Sequence, residues 1–148
     1  MKRPTVLHPL NTRIMNMLTK VSTLMTAELV QIMHSTPLGE AKKLLEKHGI
    51  HHLPVVDPTG NLVGILSQSD FLKTLDHDAS ATTAGELMST HLAKLEPSDD
   101  IRTAASVFAL NRFHALPVVE GNKLVGILTT LDLIRFLDNE KVSLADYK

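Results

Sequence analysis

The chain has no cysteine, no tryptophan, one tyrosine and four phenylalanines among its 148 residues. Without cysteine there are no disulfides and no thiolate metal sites, a usage that fits a reducing compartment. With aromatics at 3%, there are too few rings to stack bases along a single strand. An excess of one charge is missing too: 15 Lys and Arg face 16 Asp and Glu, and the net charge is −1. No basic surplus steers the chain to nucleic acid. No apolar run approaches the roughly 18 residues that a membrane-spanning helix needs. The start, Met1-Lys2-Arg3-Pro4, is basic, but His8, Pro9, Asn11 and Arg13 interrupt the next stretch, so no signal-peptide core is expected. A cytoplasmic protein that touches neither membrane nor nucleic acid is the expectation. No Walker loop, dinucleotide glycine fingerprint, Ser–His–Asp order or metal triad appears, which argues against an enzyme.

The chain does contain a duplication. His51-His52-Leu53-Pro54-Val55-Val56 leads through a turn to Leu62-Val63-Gly64-Ile65-Leu66-Ser67-Gln68-Ser69-Asp70. His114-Ala115-Leu116-Pro117-Val118-Val119 leads likewise to Leu124-Val125-Gly126-Ile127-Leu128-Thr129-Thr130-Leu131-Asp132. Pro54 and Pro117 stand 63 positions apart and Gly64 and Gly126 stand 62 apart. The lost residue falls in the turn, where length changes cost little. Upstream, Leu24-Met25 matches Leu87-Met88, Leu29 matches Leu92 and Ala41 matches Ala104. A period of this length means a fold built twice.

Each repeat reads β-α-β-β-α, an α/β fold. In the first, 29–33 reads as a strand and Pro37 opens a helix. Leu38, Ala41, Leu44, Leu45 and His48 share one face of that helix, and Gly49 ends it. Strands at 50–56 and 62–66 flank the turn at 57–60, and Ser69 or Asp70 opens a helix through Leu75. In the second, 92–95 reads as a strand, Ser98 as a helix cap and 130–138 as the last helix. The strands are apolar throughout, as strands covered on both faces are. Gly64 and Gly126, inside strands, signal close backbone approach. The repeats occupy 21–78 and 84–140. Residues 1–20 form an extension, with a short amphipathic helix from about Leu10 that covers the core or meets a second copy. Residues 141–148 form a polar tail.

Ser67-x-x-Asp70 and Thr129-x-x-Asp132 sit where a buried strand passes into a helix. A hydroxyl there can donate to a phosphate, and a carboxylate can accept from both hydroxyls of a ribose. The same residues are ordinary helix caps, and one copy alone reads better as a cap; two copies, each behind the same buried strand, shift the reading towards a ligand site. His51 and His114 precede their prolines identically; from the residues alone, each is a half-buried strand histidine satisfied by a carbonyl. His48, His51 and His52 are near in sequence, but Gly49 interrupts the helix and no further ligand is evident, so no metal is expected.

The ordered set Leu-Pro-Val-Val, Val-Gly-Ile-Leu and Ser/Thr-x-x-Asp, occurring twice over about 18–138, resembles the cystathionine-β-synthase (CBS) domain pair, or Bateman module. The resemblance implies tandem repeats related by a pseudo-two-fold axis and a regulatory role without catalysis. It implies an adenosine-containing ligand (AMP, ADP, ATP or S-adenosylmethionine) in the cleft between the repeats, signalling to a partner protein. Asp70 and Asp132 would hold the ribose, and Ser67, Thr129, His51 and His114 the phosphate. Leu29, Val30, Leu92, Ala93, Ile65 and Ile127 would line the base pocket. A homodimer through Leu72, Leu75, Ile134 and Leu137 is also implied. The competing reading is a dimeric CBS-like scaffold whose clefts are vestigial.

Overall fold

The structure, a computed structural model, describes residues 16–75 and 83–138. The first part runs α1 (Val21–Leu24), β1 (Ile32–Met33), α2 (Leu38–His48), β2 (His52–Val56), β3 (Leu62–Ser67) and a 3-10 helix (Gln68–Thr74). The second runs α3 (Ala84–Leu87), α4 (Ile101–Asn111), β4 (Ala115–Glu120), β5 (Lys123–Thr129) and α5 (Thr130–Asp138).

Local chemistry sets most of these bounds. Pro37 caps α2, and Gly49 ends it with φ 59, its N–H donating to the Leu45 and Glu46 carbonyls. Only a left-handed residue turns the chain this way, and glycine does so without strain. At the matching place α4 ends on Arg112, a non-glycine at φ 55. The cap of α4 is Asp100, which accepts from the Thr103 N–H at 2.8 Å. Ser98, the expected cap, lies two positions too early; the turn before the helix instead uses Asp99, which accepts from the Glu96 N–H at 2.7 Å.

β2 and β3 pair antiparallel with His52 opposite Ser67 and Leu53 opposite Leu66; β4 and β5 repeat this with Ala115 opposite Thr129. The first turn is fixed by Asp57, whose Oδ1 accepts from Thr59 N–H, Thr59 O–H and Asn61 N–H. Those bonds favour the ionised form and hold its pKa at about 2. The strands expected at 29–33 and 92–95 are much shorter. Only Ile32 and Met33 join a ladder, parallel to β2, and only Leu95 makes a bridge, to Val118. The residues before them cross between the units and have no neighbouring strand to pair with.

There are two cores. One holds Ile32, Ala41, Leu45, Leu53, Val55, Leu66 and Ala84; the other holds Val21, Leu95, Ala104, Phe108, Leu116, Val118 and Leu128. Ala84 and Val21 have traded places. The boundaries 21–78 and 84–140 follow the chain, but the packed units exchange their opening segments. Val21 N–H donates to Asp99 O and Thr26 exchanges two bonds with Ile127, all in the second unit. Ala84 N–H donates to Thr36 O and Ser89 exchanges two bonds with Ile65, all in the first.

The strand glycines are where the exchanged segments land. A Cβ on Gly126 would meet Met25 Sδ at 2.5 Å and Thr26 O at 3.2 Å, and one on Gly64 would meet Met88 and, at 3.1 Å, Ser89 O. The close approach matches the expectation at both positions; the methionine seated on each goes beyond it. The short helix expected from about Leu10 begins outside the described residues; within 16–20 the chain turns and then meets Asp100 through Lys20. Residues 1–15, 76–82 and 139–148, and with them most of the expected extension and the whole polar tail at 141–148, lie outside the described residues.

Candidate functional site

β3 delivers Ser67 to the start of the 3-10 helix, three residues before Asp70. Ser67 N–H and O–H both donate to Asp70 Oδ2, at 2.8 and 2.9 Å. Asp70 is buried, 4% exposed, and its Oδ1 accepts from Lys73 Nζ at 2.6 Å. The second repeat copies half of this. Thr129 N–H and O–H donate to Asp132 Oδ2 at 2.7 and 2.9 Å. Asp132 is only half-buried, and among the described residues its Oδ1 has no hydrogen-bond partner. Arg135, in the place of Lys73, makes no ion pair with it among these residues. Both aspartates therefore act as caps, and the second keeps one oxygen for another donor.

His51 and His114 are exposed, not half-buried. The His51 carbonyl accepts from Gln68 N–H at 2.8 Å and the His114 carbonyl from Thr130 N–H at 3.0 Å, so each histidine sits at the mouth of a strand-to-helix passage. The His51 ring meets Gln68 Oε1 at 2.7 Å through Nδ1. With the amide carbonyl oxygen as acceptor, the Nδ1–H is the donor of this bond.

His52, not assigned to the site from sequence, belongs to this group. Burial lowers its pKa, and the neighbouring charges of His114 and His51 lower it further, while Asp70 opposes them. The charges that reach His52 come from both repeats, His51 and Asp70 in the first and His114 in the second. Comparing the repeats could not find His52, because its counterpart is Ala115; the signal lies in spatial proximity alone.

The expected base-pocket residues fall on the same ground. Leu29, Val30, Leu92 and Ala93 are half-buried or more exposed, on the segments that cross between the units. Val30 packs on the first core and Ala93 on the second. Ile65 and Ile127 stand two residues before Ser67 and Thr129, on the same strand face. Each is also the point where the exchanged segment is bonded.

A separate pocket of about 220 Å³ lies between α2 and the 3-10 helix, floored by Leu45, Ile50 and Phe71 and touching the site through His51 and Gln68. Among the described residues no three acidic or histidine side chains converge to hold a metal, and no helix is long and apolar enough to cross a membrane.

The CBS domain model matches residues 21–77 and 84–139, and the chain belongs to the CBS-domain family as a tandem pair of repeats. It is similar to the CBS domain-containing protein YhcV of Bacillus subtilis, 30% identical over 131 residues, covering 86% of this chain and 93% of that protein. Among solved structures it matches the CBS domain pair of protein MJ0100 in complex with 5′-methylthioadenosine and S-adenosyl-L-methionine. The TM-score is 0.77 at 29% identity, over 84% of this chain and 99% of that one. It also matches CBSX2 in complex with AMP, with TM-score 0.74 and 30% identity over 83% and 98% of the two chains. The chain spans only 33%, 22% and 20% of three other curated relatives, so the enzyme names that some of them carry describe much longer proteins.

Proposed function

We propose that this chain is a non-catalytic regulatory module that binds an adenosine-containing ligand in the clefts of its CBS pair and passes that state to a partner protein. The carrying observation is the paired passage itself: each repeat brings a strand hydroxyl, an aspartate and a histidine carbonyl to one strand-to-helix junction. The ribose belongs at Asp70 and Asp132, the base against Leu29 and Val30 or Leu92 and Ala93, flanked by Ile65 and Ile127. The phosphate belongs near Ser67 or Thr129 and the histidines. Three histidines favour AMP, ADP or ATP over a sulfonium ligand, since an anion stabilises their charged forms. The AMP-bound and S-adenosylmethionine-bound neighbours support the class of ligand.

The test is calorimetric titration with AMP, ADP, ATP and S-adenosylmethionine, with thermal unfolding alongside. A ligand at 100 times its Kd adds about 2.7 kcal/mol of stability. If none of them binds at millimolar concentration, the scaffold reading replaces this one. One observation favours the scaffold: both aspartates already spend Oδ2 on their caps.

In either reading the chain pairs with itself. Leu72, Leu75, Ile134 and Leu137 are exposed, from 49% to 77%, on the 3-10 helix and its end and on α5. A two-fold dimer covers such rows on both copies at once. The cytoplasm is the proposed setting.

A further inference from the structure

Two short straps join the units. One leaves β5 at Thr26, crosses through 27–31 and enters the first sheet at Ile32 beside Val55. The other leaves β3 at Ser89, crosses through 90–94 and reaches Leu95 beside Val118. Each is pinned at its first end by a pair of backbone bonds, Thr26 with Ile127 at 2.9 and 3.0 Å and Ser89 with Ile65 at 2.9 and 3.0 Å. Each is latched there by a methionine seated on a strand glycine, Met25 on Gly126 and Met88 on Gly64. The middle of the first strap carries Leu29 and Val30; the middle of the second carries Leu92 and Ala93.

The two ends of a strap therefore serve different clefts. On the adenosine-cleft reading, Leu29 and Val30 are the base wall beside Asp70, and Val30 packs on the first core; yet their anchor is Ile127, two residues before Thr129 and five before Asp132. On the same reading Leu92 and Ala93 are the wall beside Asp132, and Ala93 packs on the second core; yet their anchor is Ile65, two residues before Ser67.

We propose that these straps make the two clefts cooperative: the base wall of each is anchored, through a methionine latched on a glycine, to the strand that carries the other's hydroxyl and aspartate. This rests on the adenosine-cleft reading. A ligand that moves Leu29 or Val30 loads the Ile127 anchor, and thermodynamic reciprocity requires the reverse effect to be equal. The route is a contiguous run of bonded and packed groups, the kind of connection that transmits coupling.

Two measurements test it. The first needs no ligand. Met25→Ala removes the latch without adding atoms, and its amide chemical shifts are compared with wild type. Changes that reach His52 and Leu53 in the first unit, as well as the second unit, are expected; changes that stop at Thr26 overturn the coupling. Met88→Ala is the mirror-image variant, should Met25→Ala not fold. The second measurement is an AMP titration. Wild type should bind two AMP per chain, and disabling one cleft with Asp70→Ala or Asp132→Ala should change the affinity of the other about fivefold or more. In Met25→Ala/Met88→Ala the same disabling should leave the affinity of the remaining cleft unchanged. Independent wild-type sites, a single site, or coupling that survives the double variant overturns the proposal. If AMP does not bind at all, the cleft reading fails and the amide shifts alone decide the straps.

Discussion

The two repeats have nearly the same skeleton and differ at their functional ends. In the first, Asp70 is buried, neutralised by Lys73 and followed by a 3-10 helix. In the second, Asp132 is half-buried, carries no such lysine and opens a regular α-helix. The first ends α2 on a glycine, the second ends α4 on a strained arginine. The first contributes the charges of His51 and Asp70 that reach His52, the second that of His114. Duplication preserved the parts that the shared architecture needs: the Leu-Pro-Val-Val strand, the strand glycine, the methionine that lands on it, and the hydroxyl–aspartate cap. The differences gather at the strand-to-helix passages and at the ends of α2 and α4. On the adenosine-cleft proposal, the open carboxylate of Asp132 makes the second cleft the readier ribose site.

The exchange of segments sets the largest expected effect. Leu53 and Leu116 occupy matching places in the two cores and are both fully buried. Leu53→Ala and Leu116→Ala should each cost about 2–5 kcal/mol. Because Val21 belongs to the second core and Ala84 to the first, each variant should lower one shared transition. Calorimetry showing two separate transitions in either variant would mean that the repeats are independent units after all.

The aspartates come next. Asp70→Ala strips the acceptor from Ser67 N–H and leaves Lys73 without its partner, for about 1–3 kcal/mol. Asp132→Ala removes only the cap, for about 0.5–2 kcal/mol. Urea unfolding should rank them in that order; the reverse rank would put the tighter polar network in the second repeat. Each variant should also weaken adenosine-ligand binding.

The helix ends sharpen the contrast further. Arg112→Gly relieves a left-handed non-glycine and should stabilise by about 1 kcal/mol, while Gly49→Ala should destabilise by about as much. Thermal midpoints of the two variants check both signs.

Much of this architecture is legible in the chain. The strands around Pro54 and Pro117 are apolar runs bounded by turn residues, repeated twice, and that pattern survives any tertiary context. The glycine stop of α2 and the close approach at Gly64 and Gly126 come from local backbone chemistry. The features that do not show are non-local. Nothing in Met25-Thr26 indicates that it packs on the other repeat's strand, because its apolar pattern is the same whichever sheet receives it. The shortness of β1 is a consequence of that crossing. Ser98 and Asp100 are both good caps by type, and only the backbone decides between them. Of the site, the aspartates and hydroxyls are visible by position, whereas His52 is hidden by its mismatch with Ala115.

His52 gives the smallest effect and the most specific one. Its folded pKa lies below the ordinary 6.5, through burial first and then through His114 and His51. The folded state therefore binds fewer protons than the unfolded state, and stability rises with pH across that interval. The contribution is complete above about 6.5 and is lost as pH falls from there toward the folded value. Asp57, at about 2, and Asp100, lowered by its bond from Thr103 N–H, add no slope of their own in this range, since both stay ionised well below it. Urea midpoints between about pH 7.5 and 5.5, a window that brackets the histidine range, should fall in wild type and fall less in His52→Gln. A bound phosphate reverses the sense, because an anion beside the cluster favours its charged forms. AMP binding should then take up protons and tighten as pH drops through the histidine range, while adenosine changes little. If the midpoint slope survives His52→Gln, it belongs to other groups and His52 does not report on the cluster. If AMP and adenosine share one pH dependence, the histidines do not face the phosphate.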